Sequence, residues 1–246
     1  GEAAGFVLAD PSQAWSYAAA ATLAATRDAL VATPSTSAWL AAHGLVQVDD
    51  VSGRWPDAAT AFEDVVPASR PQLDFGGIAV LRPTDTGWDF AAEQRMPVVL
   101  TRPNAPSWAR VSAVITASSP GHAVYGYLSD DGTEEATAVG TLSQAGLFLV
   151  PSDTTRNLSY HVAVAAGAAR ERAPAPATDV APCQADQLNV VVAISDGDNL
   201  NVPLNRYRAG DRWDSARRGE LPMGWSIAPS LAVLAPAAWD RYATTA

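Results

Sequence analysis

The run Leu188-Asn189-Val190-Val191-Val192-Ala193-Ile194 stops at Ser195-Asp196-Gly197-Asp198-Asn199. A continuous apolar run of this length suits a parallel strand covered on both faces, and in such sheets ligands bind beyond the carboxyl ends of the strands. The sequence therefore predicts a buried strand over 188–194, with two carboxylates and an amide at its functional end. A spacing of two puts Asp196 and Asp198 on one face if extended geometry continues through Gly197; a turn at the glycine sends them apart. Ser, Asp, Gly and Asn are equally the residues that punctuate a strand end, because their side chains satisfy nearby backbone groups. A catalytic reading and a turn reading stand side by side.

Two other chemistries use similar spacings. Aspartyl phosphotransferases also place D-x-D after an apolar strand, the first Asp attacking phosphorus and the second handling the proton. They usually need magnesium and a basic residue on the phosphate, and all sixteen basic residues of this chain are arginines. An EF-hand loop fits less well, since Leu200 stands where that pattern needs an oxygen ligand.

Upstream, apolar strand-like segments alternate with helical ones. Residues 5–10 read as a strand, and a helix follows from Pro11 and Ser12, capped by Ser12 or Asp10, to about Leu30. Residues 31–34 resemble a second strand, 37–43 a short helix stopped by Gly44, and 45–51 a segment of alternating character. Prolines at 67, 71, 83, 97, 103 and 106 break any long period in the middle and suggest loops between short elements. Order returns at 110–116 and 122–128, with a helix over roughly 133–145, Gly146 as its stop, and a strand over 147–151. The Ala/Pro-rich stretch 168–178 reads as a stiff linker and predicts a domain boundary near residue 180.

With 246 residues, 48% hydrophobic and 17% charged, the composition is that of a folded protein. A net charge of −10 repels phosphate backbones, so nucleic acid and anionic membrane surfaces are not expected partners. No apolar run reaches the roughly 18 residues of a membrane span. The single cysteine, Cys183, cannot form an internal disulfide or a cysteine-rich zinc site. His43, His122 and His161 are isolated, so no metal centre is expected. There is no G-x-S-x-G elbow, no G-x-x-x-x-G-K-[ST] loop and no G-x-G-x-x-G opening a helix, so serine-hydrolase, P-loop and dinucleotide readings lose their support.

Residues 122–165 carry Gly126-Tyr127, Glu134-Glu135, Leu142-Ser143-Gln144-Ala145-Gly146, Ser152-Asp153 and Asn157-Leu158-Ser159. Ser195-Asp196-Gly197-Asp198-Asn199 is followed by Arg218-Gly219, Leu221-Pro222, Gly224-Trp225, Pro229 and Leu234-Ala235-Pro236. In order and spacing these resemble the bacterial GxGYxYP proteins, a family of inferred glycoside hydrolases. The resemblance implies an N-terminal α/β region, here 1–183 in one or two subdomains, leading into the first βα units of a (β/α)-barrel domain from 186. The motif that names the family is expected beyond Ala246. A whole (β/α)₈ barrel needs about 250 residues by itself, so the chain alone is expected to show no glycosidase turnover. The expected location is outside the cell or at its surface.

Glycosidic cleavage uses one carboxyl group to protonate the leaving oxygen and another to attack or to activate water, about 5–5.5 Å apart for retention and about 6.5–9.5 Å for inversion. Asp196 and Asp198, at the carboxyl end of a first barrel strand, are the candidate catalytic carboxylates. No cofactor is called for, and the partner is a carbohydrate. Asn199 is a candidate ligand for a sugar hydroxyl or a helix cap. Trp225 offers an aromatic face to a sugar ring or to the core, and Arg218 a pairing with a carboxylate or a surface ion pair. Tyr127, Glu135, Asp153 and Asn157 enter as motif matches that touch substrate only if the N-terminal region lines the groove. The competing class is a carbohydrate-binding or architectural module, with phosphotransfer as a third. A barrel further requires that 221–228 hold the parallel neighbour of 188–194 and that Val190 to Val192 be buried.

Overall fold

The computed structural model describes residues 3–73, 76–129, 132–166, 188, 190–197, 199–207 and 212–245. The chain divides into two compact units, Gly1–Arg156 and Asn157–Ala246. The linker 168–178, the boundary read near residue 180 and Cys183 lie outside the described residues.

The first unit is α/β, with two parallel sheets. Strand β1 (Gly5–Leu8), helix α1 (Ala14–Thr26), strand β2 (Ala29–Ala32), helix α2 (Pro34–Ala42) and strand β3 (Val46–Asp50) build a sheet of order β2-β1-β3. Helix α3 (Ala58–Ser69) follows. Strand β4 (Gly77–Val80), helix α4 (Trp88–Glu93), strand β5 (Val98–Val99), helix α5 (Trp108–Thr116), strand β6 (Ala123–Gly126), helix α6 (Gly132–Gln144) and strand β7 (Phe148–Pro151) then build a sheet of order β5-β4-β6-β7. In each sheet the chain steps first to one side of its opening strand and then to the other. The order therefore reverses between β1 and β3 and between β4 and β6, the places where α/β sheets open a crevice.

Helix α1 explains the joining of the two sheets. Its sequence is mostly alanine, and Ser16, Ala18, Ala19, Ala20, Thr22 and Ala24 are all buried, so it shows no polar stripe. Small side chains let it pack on β1 and β2 of one sheet and on β5 of the other. Thr22 ties it to the edge of the second sheet: its hydroxyl accepts from the Val98 amide at 2.9 Å and lies 3.1 Å from the Val98 carbonyl.

The expected start of α1 is corrected. The Asp10 carboxylate accepts from the Ser12 amide at 2.8 Å and from its hydroxyl at 2.7 Å, a local turn that competes with helix, and the helix begins three residues after Pro11. It also stops at Thr26, where Asp28 turns with φ of 48°, so Leu30 belongs to β2. Pro34 opens α2 instead of ending a strand, and Thr33 with Thr36 forms a capping box. Gly44 and Gly146, at φ of 87° and 73°, follow α2 and α6 as read.

In the second unit, helix α7 (Leu158–Ala166), strand β8 (Ala193–Ile194), a π-helical turn over Val202–Arg206, strand β9 (Gly224–Trp225), helix α8 (Leu231–Leu234) and helix α9 (Pro236–Thr245) follow in order. Strands β8 and β9 pair in parallel, Ala193 with Gly224 and Ile194 with Trp225, so 221–228 does hold the expected neighbour. The expected burial fails: Leu188, Val190, Val191 and Val192 are 90%, 72%, 89% and 48% exposed. Helices α7, α8 and α9 pack on one another, and β8 reaches only two residues. An apolar run is buried only where a layer covers it, and the described part of this unit is a parallel pair whose first strand is preceded by an uncovered run.

Candidate active site

At the carboxyl edge of the β8–β9 pair the chain turns at once. Asp196 has φ of 72°, a left-handed conformation that aspartate tolerates better than most residues, so extended geometry ends at this residue. The Asp196 side chain is exposed, and Asp198 lies outside the described residues. Gly197 is fixed by close approach: its amide donates to the Ser226 hydroxyl at 2.9 Å, its carbonyl accepts from the Ala228 amide at 2.5 Å, and a Cβ there would stand 1.5 Å from the Ser226 carbonyl oxygen. Asn199 works as a cap, accepting from the Val202 amide at 2.9 Å while donating to the Asp196 carbonyl at 3.0 Å.

Beneath this edge lies an aromatic cluster. Buried Tyr207 directs its hydroxyl to the carbonyls of Ser195 at 3.3 Å and Ser226 at 3.2 Å, so one phenol spans the loops after both strands. Trp225 meets Tyr207 edge-on at 5.2 Å and Trp213 at 4.9 Å, and Trp213 meets Tyr242 at 4.7 Å. The Arg218 guanidinium sits 4.6 Å over Trp213, a cation–π contact. Ile194, Trp225, Arg212, Arg217 and Arg218 line a cavity of about 360 Å³.

The other predicted residues fall in the first unit, except Asn157, which opens the second at φ of 55°. Tyr127, Glu135 and Asp153 gather beyond the carboxyl ends of β6 and β7. Burial pushes the Tyr127 phenol up, and the nearby Glu135 and Asp153 carboxylates add to this. Asp153 is buried with its carboxylate 3.7 Å from Arg82, and its carbonyl accepts from the Thr86 amide at 2.7 Å, tying the loops after β4 and β7 together. Arg82 also meets Asp85, whose carboxylate accepts from the Arg82 amide at 2.8 Å and from Nε at 3.1 Å. Burial nonetheless pushes the Asp85 carboxyl above its usual value of 3.8. Sequence reading missed Arg82 and Asp85, because they follow a four-residue strand in the proline-broken middle. It also missed Tyr207 and Trp213, whose spacing matches no period.

Three domain profiles of one family match this chain. They are the "GxGYxYP_N second domain" over residues 3–67, the "GxGYxYP third domain" over 81–163 and the "GxGYxYP putative glycoside hydrolase C-terminal domain" over 187–246. The chain belongs to the GxGYxYP family. No curated protein matches it. Among solved structures, the fold is similar to that of a "putative hydrolase" from Bacteroides thetaiotaomicron, with a TM-score of 0.79 at 21% identity over 99% of this chain. The chain spans 46% of that protein's length. In this GxGYxYP chain the β2-β1-β3 sheet falls within the second-domain profile, strands β5, β6 and β7 within the third-domain profile, and the β8–β9 edge within the C-terminal one. Among the described residues no three His, Cys, Asp or Glu side chains converge as a metal site, and no helix is long and apolar enough to cross a membrane.

Proposed function

We propose that the second unit opens the catalytic domain of a glycoside hydrolase acting on an oligosaccharide or polysaccharide, with Asp196 and Asp198 supplying carboxylate chemistry. The observation that carries this reading is the exposed Asp196 at the carboxyl edge of a parallel pair, two residues beyond Ile194, which lines the Trp225 and arginine cavity. A carboxylate there is free to reach solvent and substrate while Gly197 and Tyr207 hold its backbone. A further carboxylate from another strand end belongs to the same proposal, since sites in parallel α/β folds gather residues from several strand ends. Trp225 keeps an accessible part for a sugar ring, and Arg218 helps to hold the cavity wall.

In the full-length protein, Asp196→Asn is expected to cut glycan hydrolysis by about 10²-fold or more without moving the melting temperature, the scale of a lost general acid or base. Unchanged turnover would remove Asp196 from the chemistry. The second reading, an architectural or carbohydrate-binding module, is favoured by Asn199 being engaged as a cap and by the left-handed turn at Asp196. It gains if Asp196→Asn lowers stability, or if glycan binding persists without any turnover.

A further inference from the structure

The first unit contains a cavity of about 440 Å³, a size that suits a small ligand, far in sequence from the Asp196 edge. Its walls come from the carboxyl ends of both sheets. Ala14 and Trp15 follow β1, Ala58 follows β3, Arg82 and Pro83 follow β4, Leu100 to Arg102 follow β5, and Tyr127 to Ser129 follow β6. The crevices opened by the two reversals of strand order thus converge on one space.

Among the described lining residues the charged side chains are Arg82 and Arg102, in a chain whose net charge is −10. The first turn of the thirteen-residue helix α1 also lines the cavity, and its N-cap residue, Gln13, makes no side-chain capping bond, so the positive end of the helix dipole faces this space. Ser129 is 6% exposed, and its buried hydroxyl meets no partner at hydrogen-bond geometry, although it lies beside the Tyr127 phenol and works against the rise in that group's pKa. A buried hydroxyl without a partner costs stability, so a fold that keeps one beside a cavity needs a reason. Trp15, Pro83, Leu100 and Leu128 supply apolar wall.

We infer that this cavity is a ligand site for a small anion with a ring-shaped or apolar body. Its carboxylate or phosphate is met by Arg82, Arg102, the α1 N-terminus and the Ser129 hydroxyl, and its body lies against Trp15 and Leu128. Asp85 and Asp153 stay outside the lining and hold Arg82 from behind.

The test is titration calorimetry of the 246-residue chain with glucuronate, glucose 6-phosphate and glucose at constant ionic strength. At least one anion binds, and glucose binds about tenfold more weakly or worse; glucuronate alone identifies a carboxylate ligand and glucose 6-phosphate alone a phosphate ligand. Exposed Arg102→Ala weakens the anion about tenfold or more, the scale of a charge-assisted hydrogen bond. Ser129→Ala weakens it several-fold while the thermal midpoint stays or rises, a combination that a purely structural serine would not give. Arg241→Ala, which removes a surface ion pair with Asp214 in the second unit, changes nothing. The inference is overturned by glucose binding as tightly as the anions, by silence of all three up to about 10 mM, where even millimolar binding shows, by affinity that follows Arg241 and not Arg102, or by a lower midpoint for Ser129→Ala.

Discussion

Gly197 does the work that the sequence attributed to its neighbours. Its missing side chain lets the loop after β8 lie against the Ser226 carbonyl, and two of its backbone groups bind the loop after β9. Gly197→Ala is expected to destabilise the second unit by about 1–3 kcal/mol, the cost of forcing an added methyl into a packed place, seen as an earlier urea midpoint. A midpoint within error of the native chain would contradict the close approach. Asp49 gives a second residue-scale expectation. Burial works against its charge, yet hydrogen bonds from Arg54, Arg27 and the Asp50 amide together hold its carboxyl below the usual 3.8. A carboxylate with a lowered folded-state pKa adds stability above its unfolded value and loses it as pH falls through the folded one. Stability of the native chain should therefore decline below about pH 4, and Asp49→Asn, weaker at pH 7, should show a flatter profile there in unfolding curves taken across that range. Roles of this kind were invisible in the sequence, because Arg27, Asp49 and Arg54 meet only once β3 lies beside β1.

At the scale of elements, what could be read was whatever announced itself locally. Gly44 and Gly146 gave their turns away, Phe6 and Val7 their strand, and the spacing from Thr133 to Gln144 its helix. Between residues 54 and 110 the signals cancelled. Helix α3 buries Phe62, Val65 and Val66 at helical spacing but has Pro67 inside it, while β4 and β5 are four and two residues long. Asp10 misled because a side-chain turn and a helix cap share the same residues. The run at 188–194 misled for another reason: apolar content states a preference for burial and cannot supply the covering layer. Its exposed Leu188, Val190 and Val191 form an apolar, uncharged stretch beside a short strand, the kind that pairs with its like. The 246-residue chain should then self-associate in the roughly micromolar to millimolar range. Val191→Asp should shift sedimentation toward monomer; an unchanged distribution would mean the stretch is not the contact.

Over the whole chain, family membership and fold class were legible because short motifs recur in a fixed order, whereas the site was legible only in part. Asp196 was found at a strand end, but the first-unit cavity needed five strand ends to be brought together, and no stretch of sequence contains that. The wedge of α1 between two sheets has a consequence for motion. The Val98 amide lies at the rim of its sheet, where a main-chain partner would ordinarily be lacking, and it is satisfied by a side chain from a helix that also packs on the other sheet. Its rate of deuterium uptake should therefore report how often α1 lifts away, not how often β5 frays. In Thr22→Val, similar in shape but without the hydroxyl, that one amide should exchange far faster while those of β4 keep their protection. A single proton would then serve as a clock for the parting of the two sheets.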